Sequence, residues 1–308
     1  MTEYRVGIDT SLDLLADVQP GLTVLQDAVD WMGGRPAFVY RAMGRGGGAS
    51  TPLSTTEARA LLGAGYPVLP GFNDSSLNGG ATGTYALGAH EGQKAIAQAQ
   101  ALGVPAGVYI PLDIELTTSD PRGNTTGTVA NYLLGWCDAM RPSVYGGVGI
   151  LYGILSAGSF LAEAVTLALA DPAGRNVHRL WYWQSDWTRR VGFSLANTPP
   201  WAPDITPALA GLCRIWQVSG NDFNDIVDQD LIDAALLAPG AGLWADTPVH
   251  TGATVPAPAA QTPAPAPAAP QQPTAPAGPQ GGCAGLQEAT SAFVQDLQRR
   301  GLLKVGGA

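Results

Sequence analysis

Five carboxylates sit at the ends of apolar runs in this sequence. Gly7-Ile8-Asp9 closes the first such run, Pro111-Leu112-Asp113-Ile114-Glu115 closes the fourth, and Ile226-Val227-Asp228-Gln229-Asp230 follows the last. In extended chain, residues i and i+2 point to the same side, so Asp113 and Glu115 share a face. Two carboxyl groups held close together raise one another's proton affinity, and one of them can then remain an acid near neutral pH. Such a pair suits hydrolysis of a glycosidic bond, which needs one protonated carboxyl for the leaving oxygen and one ionised carboxylate for the oxocarbenium-like centre. Asp186, in Trp183-Gln184-Ser185-Asp186-Trp187, is a further strand-end acid, either a sugar ligand or a helix cap.

Aromatic residues accompany the acids: Tyr109, Tyr152, Trp183 and Trp187, with Trp181, Tyr182 and Trp216 nearby. Flat rings beside hydrogen-bonding groups suit the apolar faces and hydroxyls of sugars. Alternate strand residues point inward and outward, so several of these rings must instead fill a core. Trp183 and Trp187 are better candidates for a sugar platform than Trp216. The histidines His90, His178 and His250 are dispersed and suggest no Ser/His/Asp triad, and His90 falls in a helical pattern.

The elements that would position these residues alternate along the chain. Strand-like runs cover Arg5–Asp9, Ala37–Arg41, Pro67–Asn73, Gly107–Glu115, Gly147–Gly153, Leu180–Trp187 and Arg214–Ser219. Helical patterns cover Leu22–Trp31, Thr55–Ala64, Ala86–Leu102, Val129–Met140 and Ser156–Ala170. A repeated strand-then-helix order implies parallel strands with helical crossovers. The expected fold is α/β, a (β/α)8 TIM-type barrel over residues 1–246, with a doubly wound sheet as the alternative. The barrel is preferred because no GxGxxG follows the first strand and because the strand-end polar residues come from many strands. The glycine-rich segment 73–84 is either a substrate-side loop or a plain surface connection.

From Thr247 to Gly282 the chain turns Pro/Ala-rich, a composition that cannot bury a core. It reads as a semi-rigid spacer able to span on the order of 100 Å. Beyond it, in 283–308, Leu286, Ala289, Phe293 and Leu297 recur at helical spacing and Gly301 follows Arg299-Arg300. A helix this short is marginal alone, so it is expected to pack against copies of itself or against a partner protein, as an assembly or anchoring segment.

Bulk properties remove several classes. The net charge of −9 and the absence of a basic block argue against nucleic acid and against an anionic membrane surface. No segment approaches a membrane span, and no secretion signal is read at Met1-Thr2-Glu3-Tyr4-Arg5. Cys137, Cys213 and Cys283 form neither a disulfide framework nor a zinc pattern, so no metal and no cofactor is expected.

The order of Gly7-Ile8-Asp9-Thr10-Ser11, Asp113-Ile114-Glu115, Leu151-Tyr152-Gly153, Trp181-Tyr182-Trp183, Trp216-Gln217 and Val227-Asp228 resembles two related groups. One is the family 25 glycoside hydrolases, muramidases that cut peptidoglycan. The other is the glycoside-hydrolase-like family called domain of unknown function 1906, found in actinobacterial proteins and in phages that infect them. The resemblance covers about residues 4–237. It implies that Asp9 and Asp228 orient substrate and tune charge, that Glu115 is the general acid/base, and that Asp113 is a nucleophile or stabilises a substrate-assisted intermediate. The segment 73–84 and the ending Val227-Asp228-Gln229-Asp230 depart from the muramidase pattern and leave Asp228 and Asp230 as alternatives for the last acid. Two functions follow as expectations. One is an enzyme acting on cell-envelope glycan. The other is a structural or adsorption protein of a virion, a minor tail component working at the bacterial surface, with cell-wall glycan and other tail proteins as partners.

Overall fold

The computed structural model describes residues 3–245 apart from 20, 45–50, 117–122, 146–148, 172–179, 186–193, 222–226 and 239–240. The chain divides into two compact units, Met1–Gly252 and Ala253–Ala308, and every described residue belongs to the first. The expected spacer and terminal helix lie outside the described residues.

In chain order the elements are β1 (Tyr4–Thr10), β2 (Asp17–Gln19), β3 (Leu22–Thr23), α1 (Val24–Met32), β4 (Val39–Ala42), α2 (Thr55–Gly63), β5 (Val68–Gly71), α3 (Tyr85–Leu102), β6 (Pro111–Asp113), α4 (Thr126–Met140), β7 (Ile150–Gly153), α5 (Phe160–Ala170), β8 (Trp181–Ser185), α6 (Pro207–Ala210), β9 (Cys213–Asn221) and β10 (Val227–Asp233). Eight strands form one sheet in the order β5-β4-β1-β10-β9-β8-β7-β6. A parallel bridge between Phe72 and Leu112 nearly closes it into a barrel. The barrel class is as expected, but its strands are not all parallel. β10 runs antiparallel to both β1 and β9.

The helices start where the sequence supplies an oxygen for a free backbone N–H. Thr23, Ser54, Thr84, Thr125 and Ser159 each accept from the residue three positions on, a contact worth about 1 kcal/mol per helix. α1 and α3 stop at Gly33 and Gly103, both in the left-handed region. α3 and α4 pack at backbone distance: a Cβ on Gly88 would lie 1.9 Å from the Tyr132 carbonyl oxygen, and one on Gly135 would lie 2.0 Å from that of Tyr85.

Strand alternation divides the apolar residues into two cores. Ile8, Val39, Val68, Leu112, Leu151, Tyr182, Trp216 and Leu231 face outward and pack under the helices. Phe38, Tyr40, Leu69, Ile150, Tyr152, Trp183, Ile215 and Ile232 fill the barrel. Room for the inward rings comes from glycine: a Cβ on Gly7 would fall 1.9 Å from the Phe38 ring, and one on Gly71 would fall 2.1 Å from the Tyr40 ring. Above this packed floor, where β1 and β6 finish and β10 begins, lie acidic residues of the described chain.

Candidate active site

Asp9 stands near the end of β1, opposite Asp228 at the start of β10. Asp113 ends β6, with Glu115 two residues on. The inward parity of β10 adds Asp230 beside Asp228. Five acids from three strands therefore converge on one mouth.

Their environments differ. Asp230 is fully buried, and its Oδ1 accepts the Trp183 indole N–H at 2.9 Å. The Gln217 amide donates to Asp228 Oδ2 at 2.7 Å and to Asp9 Oδ2 at 3.2 Å. The Gln217 carbonyl accepts from the Tyr152 hydroxyl at 2.8 Å and the Ser185 hydroxyl at 2.7 Å. These two hydroxyls hold the amide so that its NH2 faces the acids. Burial, reinforced by the neighbouring carboxylates, pushes Asp9 well above the usual carboxylate range. Burial and then Glu115 do the same to Asp113, and burial to Asp230. Glu115 reaches furthest into solvent, yet the rim desolvates its carboxyl enough to raise it, with Asp228 adding to the effect. Tyr40, below the acids, is raised by burial and by Asp113, Asp9 and Glu115.

The segment 73–84 supports this site. Asn78 accepts the Glu115 backbone N–H at 2.8 Å and donates to the Asp113 carbonyl at 3.1 Å, fixing the Asp-x-Glu backbone. Elsewhere the segment is tied down from below. Buried Glu91 accepts the Ser76 N–H at 2.9 Å and the Tyr132 hydroxyl, and Asn124 accepts the Gly83 N–H at 2.7 Å and donates to the Ala81 carbonyl at 2.9 Å.

Of the residues singled out in the sequence, Asp9, Asp113, Glu115 and Asp228 are brought together. Tyr152 lies under them, buried, holding Gln217. Trp183 is 1% exposed, with the edges or faces of Tyr40 and Tyr152 against it at 5.0 Å, so its ring cannot also stack on a sugar; it holds Asp230 instead. Tyr109 is not at the mouth. It lies four residues before Asp113, its N–H bonds the Gly242 carbonyl at 2.7 Å, and its ring packs on Trp181 at the far end of the barrel. Trp216 faces outward, buried under the helices. Asp186 and Trp187 lie outside the described residues. Gln217 entered the sequence reading only beside Trp216, and Asn78, Ser185 and the inward set of Asp230 carry no motif of their own.

Residues 33–224 match the family described as Rv2525c-like, glycoside hydrolase-like domain. Among solved structures, an uncharacterised protein of B. stearothermophilus superposes with a TM-score of 0.61 at 22% identity, covering 78% of this chain and 100% of its own. The Tat-secreted protein Rv2525c of Mycobacterium tuberculosis, in complex with L-tartrate, gives 0.50 at 17% identity over 78% of this chain and 99% of its own. A muramidase from Trichobolus zukalii gives 0.43 at 15% identity over 77% and 97%. No curated protein matches the sequence.

Proposed function

The chain belongs to the Rv2525c-like, glycoside hydrolase-like family, and on that premise we propose that its barrel hydrolyses a cell-envelope glycan, peptidoglycan or a related polysaccharide. The convergence of Asp9, Asp113, Glu115 and Asp228 on one mouth carries this reading. Glu115 is the general acid: it is the most accessible of the acids and its proton affinity is raised, so it can hand a proton to a leaving glycosidic oxygen. Asp113 is the second carboxyl of the pair, on the same side of the chain and deeper. Asp9 and Asp228, joined through the Gln217 amide, orient the sugar.

Purified bacterial cell wall incubated with the full chain tests the proposal by the release of reducing ends. The Glu115→Gln variant is expected to release at least ~100-fold less, the lower end of what a positioned proton donor contributes. Equal release by both would remove Glu115 from the chemistry.

Glycan binding without cleavage is the second reading. It is favoured by Asp113, whose burial works against the ionised state that the partner of a general acid must adopt. No release by either protein, with both sedimenting with the wall, would select it. The finer assignment is to a phage particle, as a minor tail component acting at the bacterial surface. The Pro/Ala-rich stretch 247–282 and the apolar spacing of Leu286, Ala289, Phe293 and Leu297 support it, as a spacer and a docking segment for tail proteins or further copies of the chain.

A further inference from the structure

The two strands that nearly close the barrel end at different points. β5 stops at Gly71, and Phe72 makes the last backbone step toward β6: its N–H donates to the Pro111 carbonyl at 2.7 Å and its carbonyl accepts the Asp113 N–H at 3.0 Å. Those two bonds flank Leu112, as the bonds of a residue on a parallel neighbour do. The next step of such a ladder would flank Ile114 and come from residue 74. At that point the chain binds α3 instead, where Asp74 pairs with Lys94 at 3.1 Å and accepts from Gln98 at 3.0 Å.

A side chain makes the step in its place. Asn78 Nδ2 donates to the Asp113 carbonyl at 3.1 Å and Asn78 Oδ1 accepts the Glu115 N–H at 2.8 Å, the two groups on either side of Ile114 that a strand residue would bond. A primary amide can do this because it carries a donor and an acceptor side by side, as a peptide group does. On the opposite edge the Ile114 N–H is held by the Tyr152 carbonyl at 3.1 Å, and the Ile114 side chain is buried in the outer core. Asp113 and Glu115 are thereby kept on the inner side together.

Asn78 is itself mounted on the helices. Its N–H donates to the Ser75 carbonyl at 3.1 Å, the Ser75 hydroxyl meets that of Tyr132 on α4 at 3.2 Å, and Glu91 on α3 takes the Ser76 N–H at 2.9 Å. Leu77 is buried, and the Gly80 N–H closes the turn on the Leu77 carbonyl at 2.9 Å, at a φ of 93° that favours glycine.

We propose that Asn78 is a positioning residue whose side-chain amide stands in for a strand residue and sets where Glu115 presents its carboxyl at the mouth. The segment 73–84 is then a fixed mount for the acid. The inference rests on the hydrolytic reading for what Glu115 does, but not for how Glu115 is held.

The test compares the full chain with Asn78→Ala, which removes both bonds, and Asn78→Asp, which keeps an acceptor for the Glu115 N–H. Amide hydrogen exchange at Glu115 is expected to quicken in Asn78→Ala and to slow again in Asn78→Asp, while Asp113 and Ile114, held by Phe72 and Tyr152, stay protected. In the cell-wall assay Asn78→Ala should lower kcat by up to about 100-fold, the cost of a misplacement of about 1 Å, with KM little changed. Burial, and then Asp228, raise the proton affinity of Glu115. Freeing its backbone should therefore move the alkaline limb of the pH–rate profile to lower pH, which a loss of stability alone would not do. Unchanged exchange at Glu115, or an unchanged kcat and limb in an active protein, overturns the proposal. A wild type that releases no reducing ends defeats the hydrolytic reading alone. Exchange and the 13C-carboxyl titration of Glu115 then decide, and a midpoint that does not fall in Asn78→Ala refutes the positioning role. If Asn78→Ala does not fold, the wild type decides by scalar coupling between the Glu115 amide nitrogen and the Asn78 side-chain carbonyl carbon: its presence supports the bond and its absence overturns it.

Discussion

Tyr40 and Arg41 are neighbours on β4 that face opposite sides of one sheet, and the buried charge on the two sides is handled differently. On the outer side Arg41 is completely buried and bound on all three of its nitrogens. It binds both Glu57 oxygens, at 2.6 and 3.1 Å, and donates to the Thr10 and Thr51 carbonyls at 2.9 and 2.8 Å. Glu57 also accepts the Leu14 N–H at 3.0 Å. On the inner side Tyr40 looks up at acids held in part by one glutamine and one indole. The outer pair closes within the protein and so locks α2 and the chain around Leu14 onto the sheet. The inner set keeps unmet hydrogen-bonding capacity, on Asp113 Oδ1 and Asp230 Oδ2, that a proton, water or ligand must meet. Closed charge holds structure, and open charge marks a site.

The strongest way to break this contrast is to open the outer pair. Arg41→Met leaves Glu57 buried without its cation and is expected to lower the unfolding free energy by about 3–5 kcal/mol in urea denaturation, with Arg41→Met/Glu57→Leu recovering most of the loss. A single-variant loss below ~1 kcal/mol would show that the outer pair is no better settled than the inner acids.

The inner acids predict a smaller effect of opposite kind. Asp9, Asp113 and Asp230 bind protons more tightly folded than unfolded. Their contribution to stability is therefore full below the unfolded carboxylate range, near pH 4, and is lost as pH rises through the folded values. The thermal midpoint should fall as pH rises from about 4 through neutrality. Asp9→Asn should flatten that slope and raise stability at neutral pH. A midpoint that rises over this range would mean that the acids are stabilised as anions, as in an ordinary salt-bridged site.

The same contrast explains what could be read from the sequence. Seven strands were legible because their outward positions are apolar, and the Asp-x-Glu pair was legible because two acids at i and i+2 need no tertiary knowledge to share a face. β10 does not read as a strand in the sequence, because Val227-Asp228-Gln229-Asp230 carries acids at the inward positions where a strand normally shows apolar residues. The site chemistry itself hid the element that delivers it. Tyr109 looks like a site residue in the sequence because it shares a run with Asp113, but four residues of extended chain, at about 3.3 Å each, place the two at opposite ends of the barrel. Gln217 could not be recognised as a bridge, because its partner Asp9 lies 208 residues away in sequence.

The smallest expected effect sharpens the comparison most, since it asks whether the open acids are positioned at all. Tyr152→Phe removes one of the two hydroxyls that hold the Gln217 carbonyl, while Ser185 still donates at 2.7 Å. Each of Tyr152→Phe and Ser185→Ala should cost about 1 kcal/mol. The two together leave the carbonyl without a donor and let the amide turn over, which would set an oxygen against Asp228. The double variant should therefore lose about 0.5 kcal/mol or more beyond the sum of the singles, measured as a double-mutant cycle in urea. Release of reducing ends from cell wall should fall further in the double than in either single, because only there does Gln217 cease to hold Asp9 and Asp228 in place. Strict additivity would mean that Gln217 keeps its orientation without these hydroxyls, and that the inner acids are set by their strands alone.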